Sequence, residues 1–338
     1  MKGGTPNTRP TGAAFATQAG TALMDVTLHI GAHRTATTTF QHVMRQHLAA
    51  LQERGIGVWG PERTRKSVFP GLFQNSTAPR KRNPALRAQG RARMLAARAA
   101  HQGLEQLLVS DENMLGSCVH NIRHRALYPA AGERMARVAA AFGGRVTRIV
   151  LSVRAQDLWW SSAMALAVER GHPIPTASRC AAICDSTRTW RDVITDIACA
   201  VPDAEICVTP FETFGNRPQA VLAAAIGGAL PHDGAHKVPL LNPSADLRAL
   251  RARVAEQGDD PDALPQGDGR WQPFTQEQAA LLAEHYADDM HWLIAGADGL
   301  ATLTEDTART KAETHPHLGQ MEKGHGYDDR QGHVAQSG

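Results

Sequence analysis

No apolar run in this chain approaches the roughly 18–20 residues that a membrane-spanning helix requires. The longest candidate, residues 220–230, is too short and is interrupted by two glycines. The opening residues, 1–24, are rich in Gly, Thr and Ala and contain no continuous apolar h-region. They read as a flexible lead, not a signal peptide, and the protein is expected to be cytoplasmic with no membrane span. Cysteine is scarce and odd in number: Cys118, Cys180, Cys184, Cys199 and Cys207 make five. Cys180 and Cys184 have no second pair at metal-ligand spacing, which argues against a zinc site and for free thiols in a reducing compartment. The net charge of +3 is too small to suggest a nucleic-acid partner. No carboxylate cluster and no internal repeat is visible, so no metal is expected.

What is present is the composition of a globular protein: 42% hydrophobic and 20% charged over 338 residues, enough chain for a large core. Charge is local. Between Arg63 and Leu104 there are ten Arg or Lys and no Asp or Glu. That segment is either a solvated face or an electropositive rim that gathers an anionic ligand. Residues 62–84 read as a basic loop and residues 85–102 as a helix.

Runs with the period of strands fall near residues 26, 56, 107, 147 and 205, each followed by a segment that reads as helix. Helices are expected after residue 37 and over 133–142, 189–201, 219–229, 244–257 and 275–294. In the helix after residue 37, Phe40, Val43, Met44, Leu48 and Leu51 share one side. Asp157 is placed to cap the helix after the fourth strand. This alternation is the pattern of an α/β fold, a doubly wound, mostly parallel sheet flanked by helices. Ligands of such sheets sit beyond the carboxyl ends of the strands. The globular part is expected over residues 25–300, and the polar residues 301–338 are expected to be disordered.

The first strand leads into Gly31-Ala32-His33-Arg34-Thr35-Ala36-Thr37-Thr38-Thr39 and then a helix. Strand, small-residue loop and helix form a phosphate cradle, because the first amides of a helix have no internal partners and its dipole favours an anion. The match to the nucleotide-binding pattern G-x-x-x-x-G-K-[ST] is poor, since Ala36 and Thr37 stand where Gly and Lys belong. The basic residue, Arg34, lies three positions earlier, inside the loop.

This segment resembles the 5′-phosphosulfate loop of the sulfotransferases, Lys-x-Gly-Thr-Thr, here Arg34-Thr35-Ala36-Thr37-Thr38. It is similar above all to bacterial sulfotransferase-like proteins that read His-Ile-Gly-x-His-Lys-x-Gly-Thr-Thr. Arg34 replaces the family's Lys and Ala36 its Gly, and Arg for Lys is not a conservative exchange. The family's second mark is an Arg at a strand end with a Ser eight residues later, which hold the 3′-phosphate. Arg154 and Ser162 match it, with Ser161 as the competing choice. Further similarities are Arg154-Ala155-Gln156-Asp157, Ser110-Asp111-Glu112-Asn113, Pro210-Phe211-Glu212 and Leu241-Asn242-Pro243-Ser244. The resemblance covers about residues 25–295. The glycine-rich C-terminal loop of the eukaryotic members has no clear counterpart.

The resemblance implies a P-loop-type fold and transfer of a sulfuryl group from 3′-phosphoadenosine 5′-phosphosulfate to a hydroxyl or amine of a small-molecule or carbohydrate acceptor. Gly31, Thr35, Ala36, Thr37, Thr38, Thr39, Arg154 and Ser162 would hold the donor, and Arg34 would stabilise the leaving phosphate. Glu112, with Asp111 and His33 as rivals, would take the acceptor's proton. Alternatively, Glu112 pairs with the basic segment and has no chemical role. His29 is expected to face the sheet interior. Trp159 and Trp160 are core residues or a stacking wall, with core favoured because aromatic rings bury large area. Two other functions stay open: a P-loop small-molecule kinase, and a non-catalytic descendant that binds a nucleotide or a partner.

Overall fold

The computed structural model describes residues 24–75, 83–230 and 239–305. The expected flexible lead and most of the expected disordered tail lie outside the described residues, as does part of the basic stretch at 62–84.

Six strands form one sheet: β1 (Asp25–His29), β2 (Ile56–Trp59), β3 (Gln106–Ser110), β4 (Val146–Val153), β5 (Glu205–Pro210) and β6 (Thr302–Leu303). Their order is β2-β3-β1-β4-β5-β6 and every pairing is parallel. The five strands legible in the sequence are all present. The sixth is a two-residue edge too short to carry a period. The helices are α1 (Thr37–Gln46), α2 (Leu48–Glu53), α3 (Pro61–Arg63), α4 (Pro84–His101), α5 (Cys118–His124), α6 (Ala131–Ala141), α7 (Gln156–Glu169), α8 (Ala177–Cys184), α9 (Trp190–Ala200), α10 (Phe211–Phe214), α11 (Pro218–Ile226), α12 (Leu247–Glu256) and α13 (Gln276–Ile294). None of these described helices is long and apolar enough to cross a membrane.

Both faces of the sheet are covered, which is why the strands alternate in destination but not in polarity. Leu107, Val109, Ile149 and Leu151 join one core with Trp59, Met135, Trp159, Trp160 and Trp190. Leu108 and Val150 join the other with Phe40, Val43, Met44 and Leu222. Trp159 and Trp160 are thus core residues, fully buried and packed edge to face. His29, on the second face, stacks on Phe40 with ring centroids 3.9 Å apart and pairs with Ser110 Oγ at 2.9 Å, facing the sheet interior as expected.

Several local expectations need correction. The helix after residue 37 breaks at His47 into α1 and α2, and Leu48 is exposed instead of sharing the buried side. Residues 61–68 are not loop: Pro61 at the first helical position starts α3, and a wide helical turn, Thr64–Val68, continues it. Asp157 lies inside the first turn of α7, whose cap position is Ala155. The helix expected from 244 begins at Leu247, where the Asp246 side chain accepts from Ala249 N at 2.7 Å. Helices α5 and α8 are short and were not expected. All five cysteines are free thiols.

The connection leaving β1 runs to one side of the sheet and the connection leaving β3 to the other. A crevice therefore opens between their carboxyl ends, the usual ligand position of such sheets. Asp111 N bonds His29 O at 3.1 Å, and Ala32 N bonds Ser152 O at 2.8 Å, so the loop after β1 is tied to the ends of β3 and β4 together.

Candidate functional site

At that crevice lies a cleft of about 830 Å³. The loop after β1 forms its floor. Gly31 has φ +92°, and a Cβ there would lie 2.9 Å from Glu112 Cβ, so the position is both left-handed and too close for a side chain. Arg34 and Ala36 also have left-handed backbones, φ 62° and 63°. Ala36 precedes α1 and offers no side-chain cap, which leaves the first amides of α1 to face the cleft. Trp159 Nε1 donates to His33 O at 2.7 Å, so a buried ring of α7 holds the loop from behind.

Of the residues singled out in the sequence, His33, Arg34, Ala36, Thr37, Thr38, Glu112 and Arg154 line this cleft together. Four do not. Gly31 shapes the loop. Thr35 turns inward, donating to Ala32 O at 2.8 Å. Thr39 accepts from Leu241 N at 2.9 Å. Ser162 sits beneath Arg34. Arg34 Nε donates to Ser162 Oγ and its Nη2 to Ser244 Oγ, both at 2.8 Å, and the two hydroxyls are 2.6 Å apart. Ser161, the competing serine, is spent on Asp157 O at 2.7 Å and Gln272 Oε1 at 3.1 Å.

Arg154 Nη1 donates to Arg34 O at 3.0 Å, and its guanidinium lies 4.6 Å from the centroid of the Phe211 ring. The two arginines proposed for opposite ends of one nucleotide thus meet on the same rim. Arg154 Nε is buried and has no hydrogen-bond partner. Burial and the nearby Arg270 push the Arg154 pKa down to about 10. Burial, opposed in part by acidic neighbours, also lowers that of Arg34, with Arg170 and Arg270 adding repulsion. Arg170, Arg253 and Arg270 line the cleft too. Such crowding of cations is relieved by an anion.

The acidic side of the cleft is already engaged. Glu112 Oε2 accepts from Gln41 Nε2 at 3.0 Å and Oε1 from Arg65 Nη2 at 2.8 Å. Burial opposes its ionisation, but His33, Arg65 and hydrogen bonds outweigh burial and hold the carboxyl below its usual range. Asp111 is committed more fully, to Thr64 Oγ1 at 2.5 Å, Arg65 Nη2 at 2.7 Å, Arg65 Nε at 3.1 Å and Asn113 N at 3.0 Å. The ion pair between Glu112 and the basic segment is therefore real, whatever else Glu112 does. His33 places Nδ1 2.9 Å from Tyr128 Oη and Nε2 3.1 Å from Asn113 Oδ1. An amide oxygen can only accept, so Nε2 carries the proton and Nδ1 accepts from the phenol. Burial lowers the His33 pKa in keeping with that neutral ring.

Arg65, Asn113, Tyr128, Arg170, Ser244 and Arg270 were not singled out in the sequence. Arg65 was visible only as one of ten basic residues, and Ser244 as part of a local similarity. Arg170 and Arg270 carry no local signal.

The cleft offers helix amides, threonine and serine hydroxyls and converging arginines to an anion with more than one charged group, beside the carboxylates of Glu112 and Glu169 and one neutral imidazole. No protein-family model matches the chain, and no curated protein matches it.

Proposed function

We propose that the protein transfers a sulfuryl group from 3′-phosphoadenosine 5′-phosphosulfate to an acceptor hydroxyl. The observation that carries this reading is the convergence of Arg34 and Arg154 on one cleft at the start of α1, with Arg154 Nε buried and unpaired. The 5′-phosphosulfate is assigned to the amides of Ala36, Thr37 and Thr38 and the hydroxyls of Thr37 and Thr38. The 3′-phosphate is assigned to Arg154, with Arg170 or Arg270 as a second cation, and a bidentate Arg contact suits it.

In the reaction the acceptor oxygen attacks sulfur in line. A new sulfur–oxygen bond forms as the bond from sulfur to the bridging phosphate oxygen breaks, and that oxygen keeps the electron pair. Alignment and charge stabilisation are the protein's contribution. Arg34 is close enough along the loop to meet the departing phosphate once a ligand draws it from Ser162 and Ser244. Being permanently charged, it stabilises and does not donate a proton. Glu112 is ionised at neutral pH and has lone pairs left on both oxygens, so it takes the acceptor's proton. His33 Nδ1 is capped by Tyr128 and is the weaker candidate.

One observation favours a second reading, a binder without turnover: the Arg34 guanidinium is committed to two serines and Glu112 to two donors. Calorimetry with adenosine 3′,5′-bisphosphate and ATP tests nucleotide use. The expected result is tighter binding of the bisphosphate, weakened about 10–100-fold in Arg154→Ala, the range for a charged hydrogen bond. Equal or tighter binding of ATP overturns the donor assignment. Loss of turnover in Arg34→Ala with the bisphosphate still bound separates the enzyme from the binder.

A further inference from the structure

A second cavity, about 550 Å³, opens beside the cleft. Arg65, Asn113 and Ser117 line both. They form a shared wall, and Glu112 is fixed to that wall by Arg65. His33 stands on the cleft side of it, while its two partners, Tyr128 and Asn113, line the cavity. A molecule in the second cavity therefore lies one side chain away from both Glu112 and His33, across Arg65, Asn113 and Tyr128, without occupying the nucleotide's place.

The cavity's chemistry is specific. Its volume lies within the roughly 300–1,000 Å³ of small-molecule sites, whose linings are mostly apolar, and here apolar surface holds only a slight majority over polar. Asp111, Asn113, Ser117, His120 and Asn121 all contribute to its lining, against an apolar wall drawn mainly from Phe69, Phe73 and Leu115. Mixed donors and acceptors suit a ligand that is itself polar on several sides.

Two groups ask for a partner. Asn121 is fully buried, and neither the nitrogen nor the oxygen of its side-chain amide has a hydrogen bond. An unmet buried polar atom costs about 1–3 kcal/mol. Arg134 donates to Met114 O at 3.1 Å and to Asn113 O at 2.5 Å and lies 3.7 Å from the Phe73 centroid. Those partners are neutral, and among the described residues no carboxylate lies within ion-pair distance of it. The cavity's other arginines are matched: Arg137 by Glu133, and Arg65 by Asp111 and Glu112. Arg134 is thus the cavity's one arginine with no carboxylate in direct contact, although Asp111 and Glu133 lie near enough to attract it.

We propose that this second cavity is the acceptor pocket, and that the acceptor is a small polyhydroxylated molecule carrying one anionic group, such as an acidic sugar. The anion faces Arg134, the amide of Asn121 meets a hydroxyl or carboxyl edge, and the reacting hydroxyl points across the shared wall toward Glu112. The acceptor role rests on the sulfuryl-transfer reading above; the binding site does not.

Saturation-transfer NMR on the full chain tests it with glucuronate and its neutral twin glucose, with and without saturating adenosine 3′,5′-bisphosphate. Glucuronate is expected to bind about tenfold more tightly than glucose, to stay bound in the presence of the bisphosphate, and to lose about tenfold in Arg134→Met and in Asn121→Leu. Asn121→Leu removes no hydrogen bond of the side chain, so it decides the matter if Arg134→Met does not fold. No glucuronate binding, equal binding of glucose, displacement by the bisphosphate, or full binding by both folded variants overturns the proposal. Glucuronate bound with no bisphosphate affinity at all sinks the donor reading instead and leaves the pocket standing.

Discussion

Three residues of the loop after β1 take left-handed backbones, and only one of them is glycine. At Gly31 that choice is forced twice, by φ +92° and by Glu112 Cβ 2.9 Å from where a Cβ would sit. Gly31→Ala should lose about 1–3 kcal/mol, read as a lower urea midpoint, and should also displace Glu112. Ala36 is the opposite case. At φ 63° its Cβ is strained, so the sequence departure at this position has a backbone cost. Ala36→Gly should raise stability by about 1 kcal/mol, the relief of one left-handed residue less the extra freedom of glycine when unfolded. A thermal melt checks it, and an unchanged or lower midpoint would show that the loop does not hold Ala36 in that conformation.

Elements far from the cleft hold it in place. Asp289 of α13 is buried. It accepts from Thr189 Oγ1 at 2.6 Å and from the amides of Trp190 and Arg191 at 3.0 Å, and so fixes the start of α9. Trp190 Nε1 then donates to Arg154 O at 2.8 Å, which anchors the backbone that carries the cleft's second arginine. Asp289→Ala strands those donors and should lower stability by about 3 kcal/mol, the upper range for a hydrogen bond to a charged group. Asp289→Asn keeps one acceptor and should lose less. If the chain Asp289–Trp190–Arg154 positions the site, the folded Asn variant also binds adenosine 3′,5′-bisphosphate more weakly than the parent. Unchanged affinity in calorimetry would confine Asp289 to stability. None of this chain was legible in the sequence: α9 and α13 were, from their periodicity, but not that one reaches the other. The same limit applies in the cleft. Arg34 and Arg154 could be found because each follows a strand end, a position that periodicity reveals. Ser244, 210 residues from Arg34, bonds it only because the chain folds back over the loop. Arg65 was hidden by a wide helical turn where a basic loop was expected.

Across the whole molecule, buried imidazole makes stability depend on pH. His29 is buried inside the sheet, as expected, and burial there lowers its pKa from 6.5 to about 4, with Glu112 opposing. His33 is shifted in the same direction by burial. Both rings are neutral when folded at neutral pH, while the unfolded chain takes up protons as pH falls through about 6.5. Stability is therefore full above that pH, declines below it, and stops declining for His29 once pH passes its folded value near 4. Each ring contributes a slope of about 1.4 kcal/mol per pH unit inside its window. Between about pH 7.5 and pH 5, before most carboxylates titrate, His29 alone should remove about 2 kcal/mol. Urea unfolding at those two pH values measures the loss, and His29→Asn, which keeps a polar partner for Ser110, should remove about 2 kcal/mol of it. A variant that loses as much stability on acidification as the parent would mean that His29 is protonated in the fold. The stacked, sealed position between Phe40 and Ser110 leaves no room for that charge.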